Sequence, residues 1–321
     1  MMKAIVLEEK GQPVVHRDFE SPVPAKGETL VALKAAALNH RDVWITKGMY
    51  PGIRTPGILG SDGAGLADSR EVIINPNIGW GDKIAHQKPD YTILGMPAFG
   101  TMAEQISVPA DRLADKPAHL NWAEAAALPL GGLTAYRAVF TKGQCQPGDK
   151  VLISGIGGGV ALFAFQFALA AGAEVYVTSG SPEKLSHALQ MGAKGGANYK
   201  EEDWDKTLGK ASGGFDLIVD SAGGAGFARF PKICNFGARI VTYGGTQGKV
   251  PNFSPQLIFW KQIAILGTSM GSDQEFHDMV GFVNQHKVYP VVDQIFPLAE
   301  APQAFERMDQ GKQFGKIVLS I

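Results

Sequence analysis

Two textures of apolar patterning divide the chain. Up to about residue 118, apolar residues come in short runs broken by Pro and Gly, some alternating with polar residues. "KAIVLE" (3–8), "TLVALKAAAL" (29–38), "REVIINP" (70–76), "DKIAHQ" (82–87) and "AEQISVP" (103–109) predict strands of an irregular β unit. From Asn121, with "NWAEAAALP", the texture turns helical and a regular alternation begins. "KVLIS" (150–154) predicts a strand, "GGVALFAFQFALAAGA" (158–173) a buried helix, and "EVYVTS" (174–179) a second strand. "SPEKLSHALQMG" reads as a helix with Ser181 as N-cap and Pro182 at its first position. A helix over 201–211 and strands over 215–223, 238–245 and 263–271 follow, and the tail from Val291 holds one helix between two strands.

Strands alternating with helices of this length imply a parallel sheet with right-handed crossovers. The expected architecture is α/β. A Rossmann-like doubly wound parallel sheet is expected over 120–283, and a β-rich domain over 1–119 and 284–321. No internal repeat or low-complexity linker interrupts it.

Composition narrows the function classes. At 321 residues the chain exceeds what one growing core accommodates, which agrees with two domains. Thirty Lys and Arg stand against 31 Asp and Glu with no basic run, so neither nucleic acid nor a membrane surface is expected as partner. Two distant cysteines, Cys145 and Cys234, exclude a disulfide framework and a Cys-rich zinc site. "MMKAIVLEEKG" does not read as a signal peptide, and the longest apolar stretch, from Val160, is too short to span a bilayer. A soluble, cytoplasmic protein is expected.

"ISGIGGGVALF" joins the first parallel strand to its helix. Gly155, Gly157, Gly158 and Gly159 allow a sharp turn and a close backbone approach to a pyrophosphate, which the following helix N-terminus then faces. This context, after a strand and opening a helix, marks a dinucleotide site. An acid at the end of the second strand would hydrogen-bond an adenosine ribose and repel a 2′-phosphate. Here stand Ser179, Gly180 and Ser181, with Lys184 one turn on. Hydroxyls, open backbone and an ammonium favour NADPH over NADH, although Ser181 also serves as a helix cap.

With "ALNHRDVWITKGMYPG" (37–52), "PGILGSDGAG" (56–65), "AALPLGGLTAYRAV" (126–139), "GIGGGVALFAFQFA" (155–168), "DSAGG" (220–224), "VTYGGTQG" (241–248) and "GKIVL" (315–319), the chain resembles the medium-chain dehydrogenase/reductase superfamily in its zinc-free, quinone-oxidoreductase-like branch. The resemblance covers nearly the whole chain and implies that the β-rich domain is GroES-like. Zinc-dependent members carry a Cys, a His–Glu pair and a second Cys as ligands. At the matching places this chain has Asn39, Ser61–Asp62 and the Cys-free "LPLGG", and it lacks the four-cysteine lobe. These are poor zinc donors, so no metal is expected.

The resemblance also implies cofactor contacts. Asn39, Asp42 and Thr134 match residues near the nicotinamide, and Gly157, Gly158, Gly159, Val160 and Ala161 the pyrophosphate turn. Ser179, Lys184 and Tyr199 match the adenosine-phosphate end, where Gly180 and Ser181 also stand. Gly244, Gly245, Thr246 and the loop holding Thr268 and Ser269 match nicotinamide-lining segments, with Lys316 near them. Ala161 departs from the family's usual last glycine. The stretch between Ala67 and Phe99 departs from the compact quinone reductases.

Hydride transfer without a metal needs an acceptor that is already activated, such as a quinone or an α,β-unsaturated carbonyl. Tyr50 is the candidate proton donor by resemblance, with His40 or water as alternatives and Trp44 as a pocket wall. The competing class is an NADPH-binding sensor or a structural, crystallin-like protein of the same fold. The strand "IAILGTSMG" resembles the edge that pairs two subunits in relatives, so a homodimer is expected.

Overall fold

In a computed structural model describing residues 1–321, the chain divides into two units, Met1–Leu133 with Met270–Ile321, and Thr134–Ser269. Along the first part run β1 (Met2–Leu7), β2 (Val15–Phe19), β3 (Glu28–Ala37), α1 (His40–Thr46), β4 (Gly57–Ile58), β5 (Asp62–Ala67), β6 (Arg70–Ile74), β7 (Asn77–Ile78), β8 (Thr92–Ile93), β9 (Gln105–Pro109) and β10 (Leu113–Asp115), then α2 (Trp122–Ala127) and α3 (Pro129–Tyr136). The predicted strand over 82–87 is instead a series of turns. Trp80 organises them: its Nε1 donates to the Lys83 carbonyl at 3.0 Å, and the Lys88 amide returns to the Trp80 carbonyl at 2.9 Å. The segment offers no apolar face to a sheet, and Ile84 points to solvent.

The second unit holds β11 (Lys150–Ile153), α4 (Gly159–Ala170), β12 (Glu174–Ser179), α5 (Pro182–Gln190), β13 (Gly195–Asn198), α6 (Trp204–Ser212), β14 (Phe215–Asp220), α7 (Gly224–Phe227), α8 (Phe230–Ile233), β15 (Cys234–Thr242), α9 (Pro255–Lys261) and β16 (Ala264–Gly267). All six strands are parallel, in the order β13-β12-β11-β14-β15-β16. Growth reverses between β11 and β14, the switch point where doubly wound sheets hold their ligands. Val151, Leu152 and Ile153 are fully buried, and Phe163, Phe165 and Phe167 of α4 are buried too. That is why this stretch reads as continuously apolar and not alternating.

The chain then returns to the first unit with α10 (Asp273–His286), β17 (Val292–Pro297), α11 (Ala301–Asp309) and β18 (Lys316–Ser320). One sheet of that unit runs β10-β6-β5-β3-β18-β17, with β9 also on β3, and a second runs β2-β1-β4. The first unit therefore takes in residues 120–133 and 270–283, which the sequence pattern assigns to the nucleotide domain. The reason is packing: α2 lies against β3 and β5, and Asp273 at the head of α10 pairs with Arg112 at 2.6 Å. Its core gathers Ile5, Leu7, Leu38, Ile45, Ile317 and Leu319. No helix is long and apolar enough to cross a membrane.

Candidate functional site

In the first unit, β3 ends and Asn39 becomes the N-cap of α1, in extended backbone geometry. Asp42, three residues on, accepts from the Asn39 backbone amide through Oδ2 at 2.8 Å, an N-terminal capping contact. The Asn39 side chain leaves the helix. Its Oδ1 accepts from Lys316 Nζ at 2.7 Å, and its Nδ2 donates to Asp62 Oδ2 at 2.9 Å. Lys316 Nζ also donates to that oxygen, at 2.8 Å. Asp62 Oδ1 takes the Leu130 amide at 2.7 Å, one of the first-turn donors of α3 that no helical carbonyl can reach. The heads of α1, β5, α3 and β18 thus converge on one carboxylate. Sequence reading placed Asn39, Asp42 and Lys316 together, and the structure does so as well.

Asp42 has 0% of its surface exposed, and its Oδ1 has no hydrogen-bond partner. Burial raises its pKa to about 6, against the lowering pull of Arg41, the Asn39 amide and Lys316.

Arg41 organises the neighbouring residues. Its Nη1 donates to Ser61 Oγ at 2.5 Å and to the Leu94 carbonyl at 2.8 Å, and Ser61 Oγ donates to that same carbonyl at 2.7 Å. Arg41 Nε reaches the Tyr50 hydroxyl at 3.3 Å, and the guanidinium lies 4.8 Å from the Tyr50 ring centre. Arg41, to which the sequence pattern assigns no role, therefore ties Tyr50 to Ser61 and to the segment carrying β8. Trp44 is partly exposed nearby in sequence, on α1.

These residues do not fit a zinc ion. Asn39 Oδ1 and Asp62 Oδ2 already face an ammonium, and Ser61 Oγ faces a guanidinium, so a dication would meet two fixed positive charges. Amide, hydroxyl and carboxylate are also the wrong donors for a closed zinc site. Nowhere do three or more His, Cys, Asp or Glu side chains gather as a metal-binding group. A separate groove of about 860 Å³ in this unit, walled by Phe19, Trp80, Phe99 and Ile106, contains none of the predicted site residues.

In the second unit the predicted residues follow the carboxyl ends of parallel strands, which puts them along one edge of the sheet. After β11, Gly155 (φ 66°) and Gly157 (φ 131°) adopt backbone that only glycine takes without strain. The Gly155 amide donates to Thr178 Oγ1 at 3.1 Å, fixing the loop to β12. Gly158 caps α4 without a side chain, Gly159, Val160 and Ala161 form its first turn, and Ala161 is buried. The methyl that replaces the usual glycine is accommodated. Ser154 Oγ donates to Asp220, whose other oxygen takes the amides of Ala222 at 3.1 Å and Gly223 at 2.8 Å. This fastens the ends of β11 and β14 together.

At the end of β12, Ser179 Oγ accepts from the Ser181 amide at 3.2 Å, and Ser181 Oγ accepts from the Lys184 amide at 3.3 Å. The Ser181 hydroxyl proton goes to Glu183 Oε2 at 2.5 Å and lowers that carboxyl's pKa. Ser181 is therefore a cap whose proton is already engaged. A methyl on Gly180 would stand 2.7 Å from the Tyr199 hydroxyl and 2.8 Å from Lys200 Cε, so both side chains lie over this turn. Lys200 is a cation that the sequence reading does not single out. Its signal is its place directly after Tyr199, beyond the glycine-rich β13.

Gly244 backs onto the Ser221 carbonyl, which a Cβ would approach to 2.7 Å, while Gly245 faces open space. The Thr246 amide reaches that carbonyl at 3.5 Å. The Thr268 amide bonds the Thr242 carbonyl at 2.9 Å, and its Oγ1 is buried without a partner. Ser269 is exposed, and Thr134 is buried in α3.

Two family profiles match the chain: "Alcohol dehydrogenase GroES-like domain" over residues 25–118 and "Zinc-binding dehydrogenase" over 159–285. The "Zinc-type alcohol dehydrogenase-like protein YogA" of Leptosphaeria maculans is 38% identical over 332 residues, covering 94% of this chain and 92% of that protein. A crystal structure of an NAD-dependent alcohol dehydrogenase superposes with a TM-score of 0.94 at 36% identity, over 100% of both chains. The quinone oxidoreductase of Thermus thermophilus, solved also in complex with NADPH, gives 0.84 at 29% identity, again over 100% of both.

Proposed function

The chain belongs to the medium-chain dehydrogenase/reductase superfamily and is an oxidoreductase, and on that premise we propose that it is a zinc-independent, NADPH-dependent reductase of acceptors activated by conjugation, such as quinones or α,β-unsaturated carbonyls. The observation that carries this reading is the Lys316 ammonium seated on Asn39 Oδ1 and Asp62 Oδ2. With that place taken, no Lewis acid acidifies an alcohol or polarises an unactivated ketone, and the acceptor brings its own electrophilicity.

Bound NADPH would supply hydride from the nicotinamide C4 to the acceptor's electrophilic carbon. The Gly157–Ala161 turn and the α4 N-terminus would hold the pyrophosphate. Ser179, Lys184, Tyr199 and Lys200 would hold the 2′-phosphate. Gly244–Thr246, Thr268, Ser269 and Thr134 serve the nicotinamide, and the unpartnered Thr268 hydroxyl suits a carboxamide. As the new C–H bond forms, the acceptor's electron pair moves to its oxygen, which then takes a proton from Tyr50 or from water. Two copies pair along β16, which bonds β15 on one side only and leaves Ile265 exposed, as are Phe259 and Trp260 of α9.

An acceptor panel tests the reading. Quinones and enones should consume NADPH absorbance, saturated alcohols with NADP⁺ should give nothing, and purified protein should hold no stoichiometric zinc. Oxidation of simple alcohols, or chelator-sensitive activity with one zinc per chain, would overturn it.

A further inference from the structure

An ammonium can only donate and a carboxylate can only accept. Between Lys316 and Asp62 the Asn39 amide therefore has one orientation, with Oδ1 toward Nζ at 2.7 Å and Nδ2 toward Oδ2 at 2.9 Å. A flipped amide would oppose donor to donor and acceptor to acceptor. One Nδ2 hydrogen is engaged by Asp62, and the second has no partner. All three residues are buried, Asn39 at 8% exposure, Lys316 at 3% and Asp62 at 0%. What the network leaves over is a single Nδ2 hydrogen of fixed direction.

We propose that this Asn39 Nδ2 hydrogen donates to the carbonyl oxygen of the acceptor, and that Lys316 and Asp62 are positioning residues that hold it there. The inference rests on the reductase reading and names the electrophile it otherwise lacks. As hydride reaches the acceptor's carbon, its C=O π pair becomes an oxyanion, and a donor already aimed at that oxygen stabilises the charge without reorganising. The Lys316–Asp62 pair is neutral as a whole. It fixes the amide while adding no net charge of its own.

The test uses Asn39→Ala and a series of enones graded in electrophilicity by ring substituents. Single-turnover hydride transfer should fall about a hundredfold with the least activated member, the scale of removing one oxyanion donor. The loss should shrink with the most activated member, and the NADPH Kd should stay within about twofold. Lys316→Met/Asp62→Asn keeps neutral groups around Asn39 and should reproduce the steeper dependence on electrophilicity. A second readout needs no turnover. With NADP⁺, the infrared carbonyl stretch of a bound enone should lie lower in the wild type than in Asn39→Ala. Equal losses across the series with weakened NADPH binding would mean that Asn39 serves the cofactor's carboxamide, and would overturn the proposal. So would an unshifted carbonyl stretch. A wild type inactive with every acceptor would remove the reductase reading, and the carbonyl stretch would then decide the Asn39 donor separately.

Discussion

The Lys184 side chain lies across Gly157: a methyl on that glycine would stand 2.8 Å from Lys184 Cδ and 3.3 Å from its Nζ. The Lys184 ammonium thus lies over the glycine turn that follows β11, while Lys200 lies over Gly180 at the end of β12. Lys184→Ala should raise the NADPH Kd at least about tenfold, since a hydrogen bond to a charged group contributes about 1.5–3 kcal/mol. Lys200→Ala should weaken NADPH in the same direction, and neither should much affect NADH. Fluorescence titration of both cofactors checks this; equal wild-type constants for NADPH and NADH would refute the 2′-phosphate assignment.

Tyr50→Phe keeps the ring under the Arg41 guanidinium and removes only the hydroxyl that Arg41 Nε reaches. If that hydroxyl is the proton source, kcat should fall about a hundredfold with KM little changed. A loss of only a few-fold would leave water as the donor.

Asp42 titrates near 6 in the folded protein against an ordinary 3.8. The folded state then holds a proton that the unfolded chain has released, so stability falls as pH rises through this window and levels off above it. The linked change is at most about 3 kcal/mol. Asp42→Asn, which can still accept from the Asn39 amide, should flatten this part of the curve. Urea unfolding from about pH 4.5 to 7 measures it, and an identical slope in the variant would contradict the assignment.

The exposed edge β16 carries the sequence "AILG", without the Lys or Pro that natural edges use to prevent pairing. Ile265→Lys should convert the proposed dimer to monomer in sedimentation velocity. A wild type that sediments as a monomer would remove the pairing itself.

Much of this was readable from local pattern. β11, α4, β12 and α5 announce themselves because strands buried on both faces are continuously apolar and because Ser181 and Pro182 mark a helix start. β13 escapes, since "GGAN" has no side-chain periodicity and exists as a strand only by pairing with β12. α10 is signalled by its Ser272–Glu275 capping box but hidden by the lack of a flanking alternation. The Asn39–Asp62–Lys316 cluster is legible only as a set of positions. Lys316 lies 254 residues from Asp62, and no spacing rule shows that the lysine would enter the carboxylate's own hydrogen-bond shell. Arg41 and Lys200 are missed for the same reason: their partners are set by tertiary approach.

The ammonium on Asn39 and Asp62 has a consequence for how such a protein matures. A metalloenzyme leaves the ribosome incomplete, waits for its ion, and is exposed to scarcity or to capture of the wrong one. Here the positive charge is translated with the polypeptide and arrives when β18 docks beside β3. Folding of the last strand is then the loading step. A chain truncated before Lys316 would lack both the strand that joins β3 to β17 and the charge its buried carboxylate requires.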